Sequence, residues 1–234
     1  MPESWGPVQK ADIYSLSAEG YRVKQKNVRI TDRILGLSLN PDEAVFIVPA
    51  GTNPDDNRAL PPAGTVAFAG LDPSTQGSWK GKYGREGWSV VGIKDNIPDY
   101  ATVKFINGAE RIWADESDET EALQKPEGDL RIASQRYAGL HEIIEIGFKD
   151  KNPHRVSLYL LDWERSGRWN VVDVIDANTR QRIDTQNITD FGSGIYLNYV
   201  CTGKIQFRIT NVYSDRYTLS KDAGFSAIFF DPVK

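Results

Sequence analysis

Three classes of residue in this 234-residue chain have types and spacing that could do chemistry: clustered carboxylates, one cysteine with two histidines, and aromatics set beside charges. The run Asp115-Glu116-Ser117-Asp118-Glu119 follows Trp113. Glycoside hydrolysis needs two carboxyls roughly 5 to 10 Å apart, so such a run could serve a lyase or glycosidase. Four acids in one hydrophilic stretch read equally as a solvated loop. Cys201 is the sole cysteine, which rules out an internal disulfide. As a nucleophile it would need His141 or His154 as its base. In Tyr199-Val200-Cys201-Thr202-Gly203, beside an alternating strand, it reads as a small core residue. There is no nucleophile-elbow serine with ordered partners, no Cys/His set at zinc spacing and no glycine-rich phosphate loop opening a helix. Nothing in the residue pattern argues positively for catalysis.

The aromatics are more informative: six Trp, ten Tyr and nine Phe, several beside turn formers or charges. Trp79, Tyr83 and Trp88 fall in Trp79-Lys80-Gly81-Lys82-Tyr83-Gly84-Arg85-Glu86-Gly87-Trp88. Trp163 and Trp169 flank the charged turn Asp162-Trp163-Glu164-Arg165-Ser166-Gly167-Arg168-Trp169. A flat ring stacks on the C–H-rich face of a sugar while Asp, Glu, Asn and Arg bond its hydroxyls, and loop tryptophans beside Asp and Arg suit that task. The same rings serve β-sandwiches as core pillars, so both readings stand at this point. The candidates for ligand contact are Trp163, Arg168, Trp169, Tyr137 and Trp113, with the planar fork of Arg168 suited to hydroxyls or a uronate carboxylate. Asp72 and Asp231 open and close the main module. A sandwich that brings its ends together could place both on a hard cation, so a structural calcium is the one cofactor suggested. The sequon Asn187-Ile188-Thr189 matters only on a eukaryotic secretory route.

The elements that must position these residues are strands. From residue 100 onward apolar and polar residues alternate with period two. Ile144, Ile146 and Phe148 share one face of the run 142–148, as do Val156, Leu158 and Leu160 in 155–160. Val172 and Val174 follow, then the run 204–210 with a polar residue at every second position, then 223–230. Turn formers separate them at 151–153, 165–167, 176–179 and 192–194. The expected fold class is all-β, an antiparallel β-sandwich or jelly roll over 64–234. Residues 1–63 read as a small N-terminal β appendage and linker. Its strands are expected near 27–30, 34–39 and 44–48, with a Pro/Asp/Asn-rich loop at 52–57. A net charge of −4 and a pI near 5.3 argue against sequence-independent binding to nucleic acid. No apolar run approaches the roughly 20 residues that span a bilayer, so no membrane insertion is expected, and no signal peptide is visible at the start.

The stretch 68–84, Phe68-Ala69-Gly70-Leu71-Asp72-Pro73-Ser74-Thr75-Gln76-Gly77-Ser78-Trp79-Lys80-Gly81-Lys82-Tyr83-Gly84, resembles the opening of a bacterial β-sandwich module appended to secreted and surface proteins. The motifs Ala122-Leu123-Gln124-Lys125-Pro126, Asp129-Leu130-Arg131-Ile132-Ala133, Val156-Ser157-Leu158-Tyr159-Leu160-Leu161-Asp162-Trp163 with Gly167-Arg168, and Ala227-Ile228-Phe229-Phe230-Asp231 keep the same order over about 66–232. The resemblance implies a galactose-binding-like jelly roll beside carbohydrate-active domains. Its expected role is that of a non-catalytic carbohydrate-binding module holding a larger secreted or cell-surface protein, or a linked catalytic domain, on a polysaccharide or oligosaccharide. Where that family's hairpin commonly carries Gly, this chain has Arg180, so a different turn geometry is expected there. The competing reading is a structural or protein–protein interaction sandwich, with the aromatics as core or interface anchors.

Overall fold

The computed structural model describes residues 10–17, 20–30, 45–50, 64–212 and 222–233. The chain divides into two compact units, Met1–Ala59 and Leu60–Lys234. In the first, β1 (Lys10–Ser17), β2 (Gly20–Arg29) and β3 (Val45–Pro49) form an antiparallel sheet in the order β2-β1-β3. Ala11 and Ile13 are fully buried on the central strand, and Asp12 takes the backbone N–H of Asn27 at 2.8 Å. The strand expected at 27–30 is the end of the longer β2, and that at 44–48 is β3. The strand at 34–39 and the loop at 52–57 lie outside the described residues. The sequence reading missed β1, whose alternation is muted by a small Ala11 and a buried Asp12.

The second unit is an antiparallel β-sandwich. One sheet is ordered β13 (Arg182–Ile188), β12 (Asn170–Asp176), β15 (Lys204–Asn211), β10 (His141–Phe148), β6 (Ala101–Phe105). The other is ordered β4 (Val66–Asp72), β14 (Ile195–Cys201), β11 (His154–Leu160), β17 (Ala227–Asp231), β5 (Gly87–Val90). The connections β10–β11–β12 and β13–β14–β15 cross from sheet to sheet, the jelly-roll way of joining antiparallel layers. A smaller sheet follows the order β16 (Ala223–Phe225), β9 (Arg131–Ala138), β7 (Ala109–Ser117), with β8 (Leu123–Gln124) also paired to β9.

The two five-stranded sheets differ in how they are covered, and the sequence shows why. On β10 and β15 every second side chain is buried: Ile144 and Ile146, then Ile205, Phe207 and Ile209, pack on Val156, Leu158, Leu197, Tyr199 and Ile228 of the facing sheet. On the outer face Lys204 and Gln206 pair with Glu145, and Arg208 pairs with Asp173 of β12. All five residues of β17 are buried. Its sheet carries a second cluster on its other face, where Tyr159, Tyr196 and Phe229 meet Trp79 and Tyr83 from the 73–86 loop and Leu123 and Ile132 from the small sheet. A strand buried on both faces loses its period-two signature, which is why 227–230 reads as a nearly continuous apolar run.

In the β12–β13 hairpin Arg180 has φ +65°, the left-handed conformation that glycine favours. The Asp176 carboxylate holds the turn by accepting the N–H groups of Asn178 at 2.8 Å and Thr179 at 2.7 Å, and Arg180 N–H donates to the Asp176 carbonyl at 2.9 Å.

Candidate functional site

The charged turn 162–168 closes on the Asp162 carboxylate, which accepts the backbone N–H groups of Ser166, Gly167 and Arg168 at 3.2, 2.9 and 3.1 Å. Positive φ at Arg165 and Gly167 lets the chain wrap so tightly. Burial works to raise the Asp162 carboxyl, but the Arg168 N–H and guanidinium outweigh it and the group is lowered. The Arg168 side chain is 0% exposed. It is spent on Asp162, on Asp222 at 3.0 Å and on Glu164 at 2.6 Å. The expectation that Arg168 meets a ligand is therefore corrected: it is the buried pin of this corner, with every face of its fork already engaged.

Around that pin the structure gathers two of the other candidates. The Arg168 Cζ lies 5.8 Å from the Trp113 ring. Arg111, which the sequence reading did not select, lies 5.7 Å from Trp113 and 4.1 Å from Tyr137. Arg111 is tied to Asp222 at 3.2 Å and to Glu164 at 3.6 Å. Trp113 and Tyr137 are half-buried, and their ring faces meet guanidinium groups of the protein itself. Trp163 leaves this group and packs against the second hydrophobic cluster, while Trp169 is 36% exposed at the surface.

The two carboxylates offered to calcium are closed by protein donors. Asp72 accepts the N–H and Oγ of Ser74, the N–H and Oγ1 of Thr75 and the hydroxyl of Tyr83, and pairs with Lys82 Nζ at 3.0 Å. Asp231 accepts the N–H groups of Gly84 and Arg85, both at 3.0 Å. The segment 82–85 thus does bring the module's ends together, but with an ammonium and amides where a cation would need free oxygens. Among the described residues no three or more His, Cys, Asp or Glu gather as a metal set. Register places His154 opposite Cys201. The thiol is fully buried and pushed up by that burial, and His154 Nε2 bonds Asp150 at 2.8 Å with its ring stacked on Tyr100. Neither group is presented for nucleophilic chemistry.

A surface cleft of about 550 Å³ opens between the loop after β5 and the β7–β8 region, with Trp88 among its lining residues. The Trp88 backbone pairs both ways with Asn96 at 2.9 Å, which closes the loop 89–95 into a fixed wall. Gly92, at φ +83°, makes its tight turn; a Cβ there would sit 3.2 Å from the Ile112 and Ile132 side chains. The Trp88 ring leans on Trp79 at 5.5 Å, and Trp79 is anchored by its Nε1–H bond to the Gln124 carbonyl at 2.7 Å. Lys94, Asp95 and Asn96 stand along one wall; Asp115 and Lys125, paired at 3.0 Å, and Glu127 stand along the other. An indole edged by ammonium, amide and carboxylate groups can stack a pyranose and bond its hydroxyls. Trp88 stands among the loop aromatics of the sequence but was not among the ligand candidates expected there. The charges around Trp88 come from segments up to 39 residues away.

The solved structure of TmCBM61, a carbohydrate-binding module, in complex with β-1,4-galactotriose matches this chain with a TM-score of 0.28 and 11% identity, over 57% of this chain and 85% of that one. No family model matches the chain, and no curated protein matches it.

Proposed function

We propose that the sandwich unit is a non-catalytic carbohydrate-binding domain that seats a sugar chain in the Trp88 cleft. The observation that carries this reading is the cleft itself: a half-buried indole held from beneath by Trp79, with hydrogen-bonding side chains on both walls. Donors and acceptors of both kinds suit hydroxyl groups, which need each in turn. Stacking on one ring is weak, so useful affinity comes from several subsites or from avidity with a linked domain on the same polymer. The carboxylates near Asp115 serve as hydroxyl partners in this reading, with Asp115 already paired to Lys125.

The test is affinity for a panel of soluble and insoluble polysaccharides with three sets of variants. Trp88→Ala is expected to reduce binding tenfold or more, and Asn96→Ala, which keeps the backbone bridge, several-fold. Trp163→Ala, Trp169→Ala and Tyr137→Ala are expected to leave affinity within twofold. The reverse pattern would move the site to the Arg168 corner. A protein-interaction role is the second reading, favoured by Phe68 and Leu71, 36% and 46% exposed on the edge strand β4. It gains if no polysaccharide binds.

A further inference from the structure

A separate pocket of about 200 Å³ lies where the 81–85 loop crosses the ends of β11 and β17. Three cations line it: Lys82, Arg85 and Arg155. Two carboxylates lie at or beside it. Asp72 is paired with Lys82, and Asp231 has each oxygen capped by a backbone N–H. Arg85 and Arg155 make no ion pair among the described residues, whereas Arg111, Arg136, Arg165, Arg168 and Arg208 each have a carboxylate within 4 Å.

Arg155 is nevertheless built in with care. Its Nη2 donates to Asn198 Oδ1 at 3.0 Å, and Asn198 is fixed by Ser157 Oγ at 2.8 Å and by its own bond to the Gly70 carbonyl at 3.2 Å. The guanidinium lies 5.5 Å from the Tyr83 ring, which stacks on Tyr196 at 4.1 Å. Its Nε is buried with no hydrogen-bond partner. Asp231, its register partner, lines the same pocket but has both oxygens turned to backbone N–H groups, so among the described residues this half-buried guanidinium has no carboxylate within 4 Å and keeps its capacity for an anion. The planar fork suits an oxyanion, and Arg85 and Lys82 add charge at the rim.

We propose that this pocket binds an oxyanion of the size of a carboxylate, sulfate or phosphate group, with Arg155 as its half-buried partner and the exposed Arg85 as a second one at the rim. Its volume admits one such group with part of a sugar ring. The site shares no lining residue with the Trp88 cleft, so the two assignments stand or fall separately.

The test is amide NMR titration of the full chain with sodium glucuronate and with sodium phosphate, each at an ionic strength held constant with sodium chloride. Saturable shifts of the Lys82–Arg85 amides are expected. Glucuronate alone saturating would mark a sugar-acid site; both saturating would mark a general oxyanion site. Arg155→Gln is expected to weaken binding tenfold or more. Arg85→Gln, an exposed position that leaves the fold untouched, should weaken it several-fold, and Trp88→Ala should leave it unchanged. If neither anion gave a saturable shift, or if both arginine variants bound as the wild type does, the proposal would be overturned.

Discussion

Glu142 shows how one side chain can carry a measurable signature of this fold. It has the same strand parity as Ile144 and Ile146, so it points inward, and it is 0% exposed. One oxygen takes Arg136 Nε at 3.0 Å; the other has no partner and abuts Gly108, where a Cβ would sit 1.9 Å away. Burial pushes the carboxyl up to about 7 from 4.5, with Arg136 opposing. The folded chain therefore keeps a proton between pH 4.5 and 7 that the unfolded chain has released. Stability from this group is present below pH 4.5 and declines as pH rises through 7, by roughly 3 kcal/mol over the full span. Burial lowers His141, which acts in the opposite sense below its ordinary value of 6.5, so the clean window is pH 6.5 to 8. Denaturant unfolding should show the wild type losing stability across that window. Glu142→Gln, which keeps an acceptor for Arg136, should flatten the loss and be the more stable protein at pH 8. Glu142 has the sequence parity of Ile144 and Ile146, but a carboxylate was not among the residues expected on that face. What the sequence did not show was its partner, since Arg136 comes from the neighbouring strand β9.

At the scale of elements, the hairpin between β12 and β13 carries a specific liability. Arg180 in the left-handed region works against its own Cβ, and the turn is otherwise well bonded by Asp176. Arg180→Gly should raise stability by up to about 1 kcal/mol, the relief of strain being partly offset by the greater freedom of glycine in the unfolded chain. Thermal unfolding would check it; a lower melting temperature would mean that the side chain contributes more than its backbone strain removes. Strands with one wet face, β10 and β15, were legible from alternation alone. Strands of the doubly covered sheet gave weaker signals, and the three-stranded sheet of the first unit was only partly seen. The charged turn 162–168 was legible as a turn, yet its chemistry was misjudged. Asp162 and Arg168 look like a surface pair in sequence, and only the arrival of Asp222, Arg111 and Trp113 from distant segments shows that Arg168 is enclosed.

At the scale of the whole molecule, the sandwich unit contains its own core and both proposed sites, and among the described residues the partners named for them fall within 64–233. A fragment spanning 60–234 is therefore expected to unfold cooperatively and to bind whatever polysaccharide the full chain binds, within about twofold; loss of either property would show that residues 1–59 complete it. The fold class followed from composition and periodicity. The site did not, because a cleft walled by 92–96 on one side and 115–127 on the other leaves no local pattern in the chain. The most direct measurement of the central claim is titration of the intact chain with neutral oligosaccharides from any polysaccharide it retains, followed through tryptophan fluorescence in the wild type and in Trp88→Phe. A saturable change is expected in the wild type and should be largely lost in the variant. A saturable change of equal size and affinity in both would contradict the assignment of the Trp88 cleft, and no polysaccharide retained at all would contradict the carbohydrate-binding role itself.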